Sequence, residues 1–300
     1  VVGNLAPDDV AAAEKDPNIE VAVRPAFNVG YLGMNRAHKP FDNVNVRIAV
    51  AHAIDKAAIT QALYAPGTAE PASQFIPPAV FGHTKGLKDW PHDVAKAKEY
   101  LAKAGFPNGF KTTLAVMPVS RSYFPVPDKI GEAIQANLKE IGIEAEIVQF
   151  DWGTYLDKAA AGEFDMFMLG WMADYPDPTN FVDVFFGTGA DNSFGDPTDF
   201  PELLKLMRDA AASTDEAKRQ ALYDQINQFI HDNVPAVPVA YAGAPMAYKK
   251  TVQGILPSPL SQEDFDIVTV QGADRLIIAR NDDPVGLDCT DETDGESFYV

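Results

Sequence analysis

An α/β fold is what the sequence predicts, and three observations predict it. Apolar runs at 114–123, 145–150 and 165–178 are separated by two stretches with helical spacing, which together spell a βαβαβ unit. Helical stretches carry their own punctuation, with Asp or Asn before the periodic residues and Gly after them. Polar residues follow two of the runs: Ser120 and Arg121 after the first, Asp174 and Asp177 after the third. Open α/β sheets bind ligands outside the carboxyl ends of their strands. A cation and an anion at one such edge would receive a ligand that carries both charges.

Bulk properties narrow the function. The chain has 300 residues, 46% of them hydrophobic, enough for a sizeable core in one large or two ordinary domains. Its net charge of −19, from 43 acidic against 24 basic residues, argues against a nucleic-acid partner, which needs clustered positive charge. The single cysteine, Cys289, excludes an internal disulfide and a multi-cysteine metal site. The five histidines show no paired spacing, so neither a metal nor another cofactor is expected. No run of about 18 apolar residues is long enough to span a membrane. No signal peptide precedes Val1, so targeting does not reveal the compartment.

Taken in order, residues 7–15 read as a short helix, 19–23 as a strand and 29–34 as a second strand. Residues 40–56 carry a helical stripe of Val46, Ile48, Val50, Ala51 and Ile54, with Asn45 as its N-cap. The Pro- and Gly-rich stretch 66–91 is an ordered loop, because Phe75, Ile76, Val80, Phe81 and Trp90 need burial. A helix over 93–105 has Asp93 as cap and Gly105 as stop; another over 128–141 presents Ile130, Ile134, Leu138 and Ile141 on one side and ends at Gly142. Ser213 and Glu216 match a capping box, followed by Leu222, Ile226, Phe229 and Ile230 at helical spacing. Residues 233–241 read as an edge segment interrupted by proline. Residues 265–270 read as a terminal strand, 271–274 as a turn, and 275–280 as a fresh strand leading to an acidic end.

Several of these stretches resemble the peptide-binding receptors of bacterial ABC importers, the family 5 solute-binding proteins, and within them the dipeptide type. The resemblance rests on 28–35 (Asn-Val-Gly-Tyr-Leu-Gly-Met-Asn), 40–47 (Pro-Phe-Asp-Asn-Val-Asn-Val-Arg) and 53–56 (Ala-Ile-Asp-Lys). It extends to 117–121 (Met-Pro-Val-Ser-Arg) and to 170–174 (Gly-Trp-Met-Ala-Asp) with Asp177, Pro178, Asn180 and Phe181, and covers the chain from Val1 to about Val270. It implies a type II periplasmic-binding-protein-like lobe, a mixed sheet flanked by helices, in a receptor whose two lobes close over a ligand. Residues 1–270 then correspond to the second lobe with hinge segments. Residues 271–300 correspond to a turn and a strand that resemble the family's mature N-terminus, with 283–288 (Asp-Pro-Val-Gly-Leu-Asp) as the match. This order implies a rearranged or divided receptor that lacks most of the first lobe; joining neighbouring termini is the logic of circular permutation.

By the same resemblance Arg121 holds a peptide carboxylate and Asp174 its amino group. The physics agrees, since a guanidinium offers a two-pronged fork to a carboxylate and an aspartate accepts from an ammonium. Trp171 is expected either to pack on the ligand backbone or to fill core; Tyr123 and Phe124 are candidates of the same kind, and Ser120 stands beside the arginine. The departures at Ser122 and at Tyr175-Pro176 bear on ligand preference. Short peptides, the membrane subunits of an ABC permease and a complementary first-lobe segment are the implied partners. The implied location is the periplasm, or the cell surface in a Gram-positive source. Two other readings compete: a fragment with little affinity alone, and a hydrolase using Asp174 and Asp177 as paired carboxylates. No Gly-x-Ser-x-Gly, His-Glu-x-x-His or phosphate-cradling Gly loop supports the hydrolase.

Overall fold

The computed structural model describes residues 1–279. Helix α1 (Pro7–Ala13) leads to β1 (Ile19–Val23) and β2 (Asn28–Met34), whose every residue is buried. Helix α2 (Val44–Ala53) is capped by Asn43 rather than Asn45: the Asn43 side chain accepts from the Asn45 amide, which already lies in the first turn. Asp55 caps a helix the periodicity did not separate, α3 (Lys56–Leu63).

The family-like stretches have structural duties here. Buried Arg47 donates to the carbonyls of Phe41, Asp42, Asn233 and Val234, tying α2 to the end of α9 (Glu216–Asn233). Burial pulls its pKa down to about 10. Lys56 Nζ binds both Asp89 oxygens (2.7 and 2.8 Å) and Ala72 O (2.9 Å), so the loop over 66–91 is pinned as expected. Phe75, Ile76 and Val80 are buried in it, and within it β3 (Ala69–Pro71) forms.

Next come α4 (Val94–Lys103), capped by Asp93, then β4 (Phe110–Ala115) and α5 (Pro127–Glu140). They are followed by β5 (Ile143–Val148), α6 (Trp152–Ala160) capped by Asp151, and β6 (Met166–Met172). The βαβαβ unit is therefore present, although its first strand ends at Ala115 and the apolar run continues beyond it as a loop. Helices α7 (Thr179–Phe186) and α8 (Pro201–Ala211) precede α9. The Ser213 capping box does not form. Asp215, adjacent to the helix and charged to suit its N-terminus, caps it by accepting from the Lys218 amide at 2.9 Å.

Among the described residues the main sheet has six strands in the order β3-β7-β2-β6-β4-β5, mixed in direction and flanked by helices. Strand β7 (Ala236–Ala242) is thus interior, not the edge that its prolines suggested. The β2–β7 ladder shifts between Gly30 and Tyr31, opposite Pro238, which is where a residue without an N–H can enter a central strand. Among the described residues the edges are three-residue β3 and β5, the latter exposing Glu144 and Glu146 as charged edge strands do.

A second layer pairs β1 with β8 (Pro245–Lys249), and β9 (Val252–Gln253) pairs with β10 (Thr269–Val270). The terminal strand read over 265–270 is mostly replaced. The Asp264 carboxylate accepts from the Asp266 amide and turns the chain into a short 3-10 helix, Phe265–Ile267, leaving two residues for β10. Of the strand read over 275–280, the described residues 275–279 show one parallel bridge, Ala279 to Val2, with Ala279 N donating to Val1 O at 2.9 Å. The stretch 283–288 and Cys289 lie outside the described residues. Among the described residues no helix is long and apolar enough to cross a membrane.

Candidate functional site

Strands β5, β4 and β6 run parallel, so their carboxyl ends share one side of the sheet. The chain passes from β4 outward to β5 and then returns across β4 to β6, so strand order reverses between β4 and β6. Such a switch point opens a crevice. Here β4 pairs with β6 only at Leu114–Met166 and Ala115–Phe167 and then departs, while β6 continues along β2 to Met172. The Tyr155 hydroxyl sits in the parting, 3.1 Å from Ala115 O and 2.6 Å from Met168 O. Above it lies a cleft of about 380 Å³ lined by Arg121, Tyr123, Trp152, Trp171 and Asp174.

The arginine is delivered by a tight turn. Arg121 and Phe124 exchange backbone hydrogen bonds of 3.1 and 3.0 Å. The Tyr64 hydroxyl donates to Tyr123 O at 2.6 Å, and buried Asn28 donates to Ser122 Oγ (3.2 Å) and Ala242 O (2.6 Å). Two glycines paired across β2 and β6 make the floor on which this turn rests. A Cβ on Gly30 would stand 2.9 Å from Tyr123 O, and one on Gly170 would stand 2.3 Å from the Tyr123 ring. Neither position has room for a side chain. Arg121 Nη1 donates to Ser120 O at 3.0 Å, and the guanidinium lies 5.2 Å from the Trp152 ring centre.

The anion is held by a residue that sequence reasoning quoted but did not place in the site. Buried Asn180, in the first turn of α7, accepts from the Asp174 amide (2.7 Å) and from Trp171 Nε1 (3.2 Å) and donates to Asp174 Oδ2 (3.0 Å). One side chain thereby orients both an exposed carboxylate and a half-buried indole, whose ring also packs edge-on against Phe185 at 5.8 Å. Asn180→Ala would leave two partly buried N–H groups without an acceptor. The expected cost is about 2 kcal/mol of stability together with weaker ligand binding, read by thermal melting and by ligand titration.

One expectation, Ser120, is corrected, and one competing reading, that of Asp177 as a paired carboxylate, loses its footing. The Ser120 hydroxyl donates to Pro125 O at 2.8 Å and does not line the cleft; only its carbonyl serves the site, by holding Arg121. Asp177 is also absent from the cleft lining. It accepts from Thr179 N (3.0 Å), Thr179 Oγ1 (2.7 Å) and Arg219 Nη2 (2.9 Å). Burial pulls its pKa up, but the bonds from Thr179 and Arg219 outweigh that and leave it below the usual carboxylate value. A carboxylate so committed is no partner for Asp174 across a scissile bond.

The model of the bacterial extracellular solute-binding proteins, family 5, middle region, matches residues 1–193. The chain belongs to this family. Family 5 members are solute-binding proteins, which sets the hydrolase reading aside. The chain is 38% identical over 269 residues to "Di/tripeptide-binding protein 1" of Pseudomonas aeruginosa, a match covering 89% of this chain and 50% of that protein. It is 34% identical to "Heme-binding protein A" of Haemophilus influenzae, over 88% of this chain and 48% of the relative. Among solved structures, a dipeptide-binding protein from a Pseudoalteromonas species in complex with Met-Leu superposes with a TM-score of 0.82 at 30% identity, covering 89% of this chain and 53% of the other. The chain spans about half the length of the curated relatives it matches.

Proposed function

We propose that this chain supplies one wall of a cleft that binds short peptides for an ABC importer, outside the cytoplasm, with Arg121 taking the peptide carboxylate and Asp174 its ammonium. The observation that carries the reading is the pair's common cleft at the point where strand order reverses. Relatives named for peptides and for haem show that family membership alone does not choose the ligand. A cation and an anion facing one crevice favour a zwitterion. Beyond Phe167, β6 keeps β2 as its strand partner among the described residues and has left β4, which suits an extended peptide laid along that side. Trp171 and Tyr123 border the same space.

Residues 1–270 act in this reading as the second lobe with its hinge segments, and a complementary first-lobe segment closes over the cleft. Its support is the half-length coverage and a set of exposed apolar residues beside the small sheets, Val23 (44% exposed), Leu256 (65%) and Ile267 (49%). The permease subunits would receive the closed form. The compartment would be the periplasm, or the cell surface of a Gram-positive bacterium.

A single wall leaves the charges open to water, so the chain alone binds dipeptides weakly, and adding the first-lobe segment of a full-length relative tightens binding at least about tenfold. Calorimetry with free dipeptides, with and without that segment, measures this. Tight binding by the chain alone removes the need for a second wall, and no binding even in the complemented form sinks the peptide reading.

A further inference from the structure

Resting on the peptide reading of the same cleft, we infer that it contains a pocket for a phenolic ligand side chain, whose hydroxyl is read by the Tyr31 hydroxyl and the Asp191 carboxylate. The walls are apolar: Leu156 from α6, Leu169 from β6, Val184 and Phe185 from α7, and Phe194. Walls of this kind favour an aromatic body and offer nothing to a polar group.

Two polar groups break that surface. Tyr31 is 1% exposed, with its ring held between Phe75 (5.4 Å), Phe185 (5.2 Å) and Phe194 (5.5 Å), and it lines the cleft. Its hydroxyl makes no hydrogen bond among the described residues, unlike Tyr64, Tyr155 and Tyr241, whose hydroxyls all do. The hydroxyl is not among the fully enclosed polar atoms that lack a partner, and Tyr31 lines the cleft, so its bond falls to water or to a ligand there. Burial, with Tyr123, Asp191 and Tyr155 nearby, drives its pKa well above the usual value, so it stays protonated and can donate. Asp191 lines the cleft as well, one of its oxygens fixed by the Ser193 amide at 2.8 Å. A phenol serves both groups at once, accepting from Tyr31 and donating to the exposed Asp191 carboxylate, whereas a phenyl ring offers a bond to neither.

The experiment is a nuclear magnetic resonance titration of the 300-residue chain with Ala-Ala and with dipeptides placing phenylalanine, tyrosine or O-methyltyrosine beside alanine in either order. In one order, tyrosine should bind about tenfold more tightly than phenylalanine, as a site built to bond a hydroxyl discriminates against the analogue lacking it. The O-methyl ether, which cannot donate, should lose that advantage. In Tyr31→Phe the tyrosine-to-phenylalanine ratio should collapse to within about twofold of one. Because the variant keeps the ring and removes an unpartnered hydroxyl, its melting temperature should not fall; a clear fall would mean that the hydroxyl is already bonded, and the inference fails. It fails too if Ala-Ala binds while tyrosine gains nothing over phenylalanine in either order, or if the ratio survives Tyr31→Phe. If the chain alone binds none of the dipeptides, the same titrations are made with the first-lobe segment of a full-length relative added; absence of binding by every dipeptide there overturns the peptide reading, and this inference with it.

Discussion

Arg121→Ala is expected to lower the affinity of the complemented receptor for free dipeptides by about a hundredfold or more. Two magnitudes decide whether this is reasonable. A solvent-exposed ion pair contributes about 0–1 kcal/mol, whereas truncating one partner of an enclosed, hydrogen-bonded charge pair costs about 2–5 kcal/mol. Arg121 is half-buried on the cleft wall, braced by the Ser120 carbonyl and the Trp152 ring, so a ligand carboxylate meets a fork that is already ordered. Closure by the second wall moves the contact from the first regime to the second. Arg121→Lys keeps the charge and loses the fork, and should sit between wild type and alanine. Amidating the peptide C-terminus should cost affinity in the wild type and little in Arg121→Ala, because the group it removes has already lost its partner. Equal binding of amidated and free peptides by the wild type would show that Arg121 does not hold the carboxylate.

The sequence showed a good deal of this site because the parallel βαβαβ unit puts the residues after its strands on one side, whatever the loops then do. That topology brought Arg121 and Asp174 to one cleft, with Tyr123 and Trp171 beside them. What remained hidden depends on contacts distant in sequence. Asn180 serves Asp174 and Trp171 only once α7 folds back along β6. Tyr31 and Trp152 reach the cleft from β2 and α6, and nothing in their local patterns marks them. Ser120, chosen for its nearness to Arg121, turned its hydroxyl away because a neighbouring carbonyl, that of Pro125, was within reach. The misplaced caps have a simpler cause. At Asn43/Asn45 and Ser213/Asp215 two capable residues stand two apart, and propensity does not say which lies at the helix boundary. Strand β7 went wrong because two prolines argue for an edge, and a shift of ladder register, invisible in sequence, lets Pro238 sit inside.

The largest expected loss of stability comes from breaking the contact between Arg24, just after β1, and Glu263, in the loop before the 3-10 helix. Arg24 Nε and Nη2 donate to the two Glu263 oxygens at 2.6 and 2.9 Å, with side chains only 9% and 4% exposed. The Ser258 amide donates to the same carboxylate at 3.1 Å. Enclosed pairs are costly to bury, so replacing both partners by apolar residues could be nearly neutral, whereas removing one strands the other. Glu263→Gln or Arg24→Met should therefore destabilise by about 3–5 kcal/mol, and the double variant should recover much of that. Burial raises the Glu263 pKa, but the Arg24 bonds and charge outweigh it and hold it below the usual glutamate value. The sign of the pH dependence follows. A carboxylate whose pKa is depressed by folding stabilises the folded state fully above its unfolded value and loses that contribution as pH falls through the folded one. Melting temperature should thus decline on acidification below about pH 4.3, more steeply in the wild type than in Glu263→Gln, which no longer has this proton to take up. A variant that melts with the wild type at neutral pH, or that shares its full acid slope, would show that the pair contributes nothing to holding the β1–β8 layer against the C-terminal loop.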